Sequence, residues 1–541
     1  MNGERARLGL VVAGSLTEGL EVRLDPGVSI EDMAVGRYVV VEGRTRRFFG
    51  MVTDVKLGAS HPQFAISPPD VSDPFVAEVI DGTSTFGALE IMPMLTLGRD
   101  EVAGLEGPQP VKTVPSHFSA VADASEQDVA TVFGAEDESH FFVGRPIDME
   151  TKVCLDLQRF VARSSGVFGK SGTGKTFLTR ILLIGIVQRN VAVNLVFDMH
   201  NEYGWRGQAE DGREVKGLRQ LFGSRVSIFT LDEQSTLARG VSADEVVEIG
   251  YDEVEPEDVA LLREALGMTE AQIESIYRLA RRFGERRWLG AFLAMSVEER
   301  EELAHDAGLN PSTLTVLHRK METRLARLPF LKEHSAANSV RKILEYLKSG
   351  KSVVLEFGRH NSLDAYILVA NILTRRIHED YVELKERAQG NRAAEPPHLV
   401  ITIEEAHKFL SPEVADHTIF GTIAREMRKY NVTLLVVDQR PSGIADEVMS
   451  QIGTRVTCLL DDEKDISAVL SGVSGAQALR GVLARLDSKQ QALILGHAVP
   501  MPVVIRTRDY GTAESYAEFQ FAQAAALHRQ AEQDVEDLFP E

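Results

Sequence analysis

Gly166-Val167-Phe168-Gly169-Lys170-Ser171-Gly172-Thr173-Gly174-Lys175-Thr176-Phe177-Leu178-Thr179-Arg180-Ile181-Leu182 decides the fold. Its eight central residues, 169–176, fit G-x-x-x-x-G-K-[ST], the loop that wraps the phosphates of a nucleoside triphosphate. The flanks agree. Gly166-Val167-Phe168 can end a strand, and the apolar run from Phe177 can continue a helix. Glycines let backbone N–H groups turn inward where a side chain would block approach. The helix N-terminus adds partial positive charge. Gly169, Lys170, Ser171, Gly172, Thr173, Gly174, Lys175 and Thr176 are therefore expected to bind ATP. Lys175 should reach the β- and γ-phosphates, and the Thr176 hydroxyl should hold Mg2+.

Outward from this loop the pattern is α/β. Val191–Asp198 reads as a buried strand, as do Ser352–Phe357, His398–Ile403, Val432–Asp438, Arg455–Leu460 and Ala492–Leu495. Continuous apolar runs of this kind belong to parallel sheets covered on both faces. The expected core is a RecA-like P-loop ATPase fold over 160–240 and 350–500. It is interrupted by a helical insertion over 241–349, where Thr269-Glu270-Ala271-Gln272 is a capping box. Residues 1–115 carry short alternating strands, such as Leu20-Glu21-Val22-Arg23-Leu24, between Gly, Pro and Asp turns. They read as a small β-barrel. Residues 116–159 read as a connector and 501–541 as a C-terminal brace or tail.

Length alone, at 541 residues, implies more than one domain. Two cysteines leave room for one disulfide and no zinc spacing, which suits a reducing cytoplasm. The N-terminus has no apolar signal region, and no run of about eighteen apolar residues occurs. No membrane anchor is expected within the chain. The net charge of −21 argues against a uniformly basic nucleic-acid binder. It leaves room for a basic channel inside an acidic exterior, because screening separates the two within about 8–10 Å.

Leu399-Val400-Ile401-Thr402-Ile403-Glu404-Glu405 places two carboxylates at the end of a core strand, where parallel sheets bind ligands. Glu404 is expected to bind Mg2+ through water, and Glu405 to polarise the attacking water. Asp198 and Glu202, after another strand, either contact Mg2+-bound water or order a turn. Gln439 follows Val436-Val437-Asp438 and can hydrogen-bond a γ-phosphate. Arg425 and Arg428 sit three apart, on one face of a helix. Like Arg163 ahead of the P-loop strand, they read either as solvated charge or as fingers reaching a neighbour's ATP.

In their order along the chain these elements resemble the HerA family of hexameric DNA translocases, in the HerA/FtsK branch of P-loop ATPases. The resemblance rests on the P-loop, Asp-x-His-x-Glu-Tyr at 198–203 and Ile-Glu-Glu-Ala-His at 403–407. It also rests on Ile-Ala-Arg-Glu-x-Arg-Lys-Tyr at 423–430, Gln-Arg-Pro-Ser at 439–442 and Gly-Thr-Arg-Val at 453–456. It implies a HAS-barrel at the N-terminus, a homo-hexameric ring threaded by double-stranded DNA, and a NurA-like nuclease partner in end resection. It further implies a cis site of Lys175, Thr176, Glu404 and Glu405, with Arg163 and one of Arg425 or Arg428 acting in trans and Gln439 as sensor. Segments beyond Gly496 would brace neighbours. Some HerA-like ATPases instead partner Sir2-like effectors in antiviral defence, and conjugation or packaging pumps share the core. Two positions depart from the pattern: Asp438, where a small residue is common, and Met427, where Gly is usual.

Overall fold

The computed structural model describes residues 6–61, 63–80, 84–98, 107–208, 213–388, 395–415, 418–473, 475–487 and 489–519. Six N-terminal strands close into a barrel in the order Gly19–Leu24, Arg7–Ser15, Ala120–Asp123, Tyr38–Glu42, Arg46–Ala59 and Thr85–Gly98, the last pairing back onto the first. Every pairing is antiparallel. Alternation builds it. Leu20, Val22 and Leu24 point into the barrel beside Val39, Val41, Phe48, Leu89, Ile91 and Val121. The opposite face of Tyr38–Glu42 is not solvated. Tyr38 and Val40 pack with Phe49, Met51 and Phe133 into the ATPase core, and the Tyr38 hydroxyl accepts from Val504 N at 3.0 Å. Barrel and core therefore share continuous packing.

The barrel's last strand, Ala120–Asp123, lies past the boundary expected at 115. The connector expected over 116–159 carries three strands and a helix. Ser125 and Asp128 form a capping box on helix Glu126–Phe133. Strands His140–Arg145 and Val153–Asp156 form one edge of the central sheet.

That sheet has twelve strands: Glu245–Val246, Val226–Thr230, Ser352–Glu356, Val193–Asp198, Leu399–Glu404, Val432–Asp438, Ser165–Phe168, Thr454–Thr457, Gln491–Gly496, Val503–Thr507, His140–Arg145 and Val153–Asp156. The first eight run parallel and the rest pair antiparallel. In three parallel strands, Val193–Asp198, Leu399–Glu404 and Val432–Asp438, every residue is buried, as a sheet covered on both faces requires.

Helices fill most of the span between Val226–Thr230 and Ser352–Glu356. Glu270–Phe283 buries Ile276, Leu279 and Ala280 over Trp288, whose indole N–H donates to Val254 O at 3.0 Å. The segment expected as a tail from 501 contributes strand Val503–Thr507 and a helical stretch over 513–519 that packs on its own core. There Gln188 donates to Phe519 O at 3.1 Å, and the Arg508 guanidinium lies 4.0 Å over the Phe519 ring. A neighbour-bracing role for 520–541 falls outside the described residues. Among the described residues no helix is long and apolar enough to cross a membrane.

Candidate nucleotide site and an arginine cleft on the opposite sheet edge

The P-loop turns out of strand Ser165–Phe168 into helix Lys175–Arg189. Gly172 and Gly174 hold φ of +77° and +91°, values that L side chains resist. A Cβ on Gly169 would sit 2.7 Å from Cys458 Cβ, so close packing fixes that residue. Thr173 Oγ1 and Lys175 Nζ both donate to the Lys170 carbonyl, at 2.7 and 2.9 Å. Lys170 itself pairs with Asp461. No side chain caps the helix at Gly174, so its first amides face the loop.

A cleft of about 510 Å³ opens there, lined by Ser171, Lys175, Thr176, Glu202, Glu404, Glu405 and Gln439 among others. Burial draws the Lys175 amine below its ordinary value against the pull of Cys458 and the carboxylates. Glu404 ends its strand buried. One oxygen, Oε1, accepts from the Tyr203 hydroxyl at 2.8 Å, while Oε2 is buried without a hydrogen-bond partner. Burial, then the neighbouring Asp198, pushes the Glu404 carboxyl up to about 8. The orphaned oxygen fits a hard cation held by one or two protein oxygens and by phosphates, as Mg2+ usually is. Among the described residues no group of three or more His, Cys, Asp or Glu forms an all-protein metal cage, which agrees with that mode.

Glu405 is in the left-handed region at φ +49°, a conformation held only where surroundings over-determine it. Its Oε1 accepts from Gln439 Nε2 at 2.9 Å. Asp438 accounts for its own departure from the pattern. Its carboxylate accepts from the His407 and Arg440 amides, both at 2.7 Å, and lies 3.0 Å from His407 Nδ1. The Asp438 hydrogen bond raises the His407 pKa. Asp438 thus pins the turn that carries Glu405 to the strand that carries Gln439.

Asp198 does not line the cleft. Its carboxylate accepts from the amides of Glu202, Tyr203 and Gly204 at 2.7, 2.8 and 3.3 Å. Burial and Glu356 push it up to about 7. Of the two residues singled out in that segment, Asp198 orders the turn and Glu202 reaches the cleft wall. Tyr203, inside the same Asp-x-His-x-Glu-Tyr motif, is a further site residue that the sequence pattern does not single out. Neither does it single out Tyr366, which bridges the Glu404 backbone, or Arg180, which donates to the Glu202 carbonyl. A second cavity of about 220 Å³ adjoins the loop on its other side. Gly172, Gly174, Phe177, Cys458, Gln490 and Tyr510 contribute to its walls.

Arg163, Arg425 and Arg428 meet in one place, a separate cleft of about 430 Å³. The α-helix expected to carry both later arginines stops at Glu426, and Met427–Tyr430 is a 3-10 turn. Residues three apart eclipse in that geometry, so the two still face one side. Burial lowers the His497 pKa, helped by the charges of Arg163, Arg159 and Arg428. Gly453 packs against the Arg163 stem; a Cβ there would lie 2.8 Å from Arg163 Cβ and Cδ. Buried Arg455 donates to the carbonyls of Met449, Val469 and Ser471 at 2.8, 2.5 and 2.8 Å, which ties two helix ends behind the cleft.

Position separates the two clefts. Arg163, Arg428 and Gly453 precede strands Ser165–Phe168, Val432–Asp438 and Thr454–Thr457. The P-loop and Gln439 follow the first two of those strands, as Glu405 follows Leu399–Glu404. A seven-residue strand spans about 20 Å. The arginines therefore lie at the opposite edge of the sheet from the loop that precedes Lys175.

A P-loop leading into a helix, with paired carboxylates two strands away on a parallel sheet, defines a P-loop ATPase. Residues 141–377 match the family described as "Helicase HerA, central domain", and residues 8–74 match "HAS barrel domain". Proteins described as "DNA double-strand break repair helicase HerA" align along most of the chain. That of Sulfurisphaera tokodaii is 24% identical over 92% of each chain, and that of Saccharolobus solfataricus 23% over 87% of each. That of Pyrococcus furiosus is 22% identical over 66% of this chain and 67% of its own. Among solved structures, VirB4 of Thermoanaerobacter pseudethanolicus aligns with a TM-score of 0.46 at 14% identity, over 71% of this chain and 99% of that one. Both domains match in order, so the chain resembles the HerA family along its barrel and its ATPase core.

Proposed function

We propose that this chain is the subunit of a homo-hexameric ring that hydrolyses ATP between subunits and drives movement along double-stranded DNA. One observation carries the reading. The P-loop cleft and the arginine cleft lie at opposite sheet edges, so one subunit cannot close both around one nucleotide. A head-to-tail contact joins the arginine edge of one subunit to the nucleotide edge of the next, and repeated contacts of that kind close into a ring. ATP phosphates would lie on the P-loop, with the base in the cavity beside Phe177 and Tyr510. Thr176 and Glu404 would hold Mg2+, which neutralises phosphate charge when bound. Glu405 orients the attacking water and Gln439 couples Glu405 to the γ-phosphate. Arg163 and Arg428 stabilise transition-state charge from the neighbouring subunit.

The relatives' description as double-strand break repair helicases supports DNA as the track and an end-processing nuclease as the partner. The barrel offers that partner a surface. Leu57, Ile66 and Phe75 stand 85, 83 and 72% exposed around its longest hairpin, more apolar exposure than a lone surface residue needs. Grip on DNA should fall on phosphates, because a motor must tolerate every sequence. The test is steady-state ATP hydrolysis with and without linear duplex DNA at two salt concentrations. Stimulation that fades with salt supports the motor. Hydrolysis indifferent to DNA, with or without a nuclease partner, would replace it with a ring that scaffolds an effector enzyme.

A further inference from the structure

The motif Asp198-Met199-His200-Asn201-Glu202-Tyr203 contains a buried aromatic hydroxyl that the proposed mechanism leaves unused. Three independent contacts fix the turn that delivers it. Asp198 collects the amides of Glu202, Tyr203 and Gly204. Asn201, at φ +57°, accepts from Gly358 N at 3.1 Å. The Arg180 guanidinium donates to the Glu202 carbonyl. So held, Tyr203 is fully buried and donates to Glu404 Oε1 at 2.8 Å.

Glu404 is held from a second side as well. The Tyr366 hydroxyl accepts from Glu404 N and donates to Glu404 O, both at 3.1 Å. Tyr366 therefore sets the backbone and Tyr203 sets the carboxylate. Glutamate stands here where such sites more often carry aspartate, and it has one more rotatable bond to fix. With Oε1 engaged, the freedom that bond would allow is removed. Oε2 is left as the one unpartnered oxygen of the group.

We propose that Tyr203 is a positioning residue for the Mg2+ site: it occupies one Glu404 oxygen, leaves the other unpartnered for the cation, and is itself aimed by the turn that Asp198 ties. The inference rests on the cleft being the Mg2+-nucleotide site proposed above. A tyrosine there for packing alone would leave metal-dependent binding unchanged on loss of its hydroxyl. Outer-shell partners of metal ligands are typically worth about 10–100-fold in metal affinity.

The experiment is equilibrium binding of a fluorescent, non-hydrolysable ATP analogue to the full chain, with and without Mg2+. Wild-type protein should gain affinity with Mg2+. Tyr203→Phe should keep its Mg2+-free affinity within about twofold and lose about tenfold or more of the Mg2+-dependent gain. In a Glu404→Asp background the same substitution should add less than about twofold, because the shorter carboxylate no longer reaches the hydroxyl. An undiminished Mg2+ gain in folded Tyr203→Phe overturns the inference. If Tyr203→Phe fails to fold, Asp198→Asn reads the same linkage from its other end, and an undiminished gain there overturns it equally. A wild-type protein whose analogue binding ignores Mg2+ and matches that of Lys175→Ala fails the site reading itself, and this inference with it.

Discussion

At the C-terminal edge of the sheet, Glu404 is buried and tied by two tyrosines, Asp198 is sealed by three amides, and Glu405 sits in a strained turn. At the N-terminal edge, Arg163 and Arg428 line a cleft and, among the described residues, meet no carboxylate. One half is pre-organised by its own chain. The other presents Arg163 and Arg428 to an open cleft without an ion-pair partner among the described residues. Groups that bind charge in the ground state benefit from rigid burial. Groups that act on a neighbour must bridge an interface and are completed by the anion brought to them. The contrast is what the proposed division of the ATPase site between two subunits would require.

The largest expected effect breaks the arginine half. Arg163→Ala and Arg428→Ala should each lower hydrolysis by about 10³-fold or more, as removal of an arginine finger does, and leave ATP binding near wild type. Mixing either variant with Lys175→Ala subunits should restore measurable hydrolysis, since each supplies the half the other lacks. Absence of rescue at every mixing ratio would place the arginines in the service of their own subunit, against the topology.

The next effect breaks the rigid half. Glu405→Gln should bind ATP with ordinary affinity and lower the turnover rate by about 10²–10⁴-fold, the range for losing a positioned general base. Single-turnover quench-flow measurements read the chemical step directly. A normal rate would move the base elsewhere in the cleft. No mixing with Lys175→Ala should give the rescue expected of the arginine variants, because Glu405 and Lys175 belong to the same cleft.

How far each half could be read from sequence follows the same division. The P-loop and the Glu404-Glu405 pair announce themselves because their chemistry is local in sequence, and the apolar strands before them are continuous. Tyr366 lies 38 residues before Glu404 on a long helix, and no spacing rule links the two. Spacing left Arg163, Arg425 and Arg428 open between solvated charge and fingers. Their convergence depends on parallel strands adjoining across more than 250 residues, as Ser165–Phe168 does with Val432–Asp438. The barrel's closing strand escaped because Ala-Val-Ala-Asp is short, small and set in a polar stretch. The edge strand His140–Arg145 shows an apolar run, but its partner Val503–Thr507 lies some 360 residues on.

A subtler substitution sharpens the comparison. Gly453→Ala adds one methyl carbon, 2.8 Å from Arg163 Cβ and Cδ, so the arginine stem must shift. A displacement of about 1 Å at a reacting group can cost about 10²-fold. A flexible side chain recovers part of that, so a loss of about tenfold in hydrolysis is expected. Nucleotide binding should not change. An unaltered rate would mean that Arg163 has slack the rigid half lacks.

The smallest effect concerns stability, and it separates the halves by pH. In nucleotide-free protein the Glu404 and Asp198 carboxyls sit at about 8 and about 7, above the ordinary range near 4 of an unfolded chain. Between those values the folded state holds protons that the unfolded state has released. Above a pH of about 6.5, past which the burial-lowered His398 no longer opposes them, stability therefore falls as pH rises through 8. His407, raised by Asp438, adds in the same direction, losing its contribution as pH climbs through its folded value. A melting-temperature profile from pH 6.5 to 8.5 without Mg2+ should slope downward by several degrees. Asp198→Asn should flatten it by removing one buried acid and relieving the other, whereas Arg163→Ala should leave the slope intact. A flat wild-type profile would mean that water or rearrangement lets both carboxylates ionise freely, and that the rigid half is less enclosed than its geometry states.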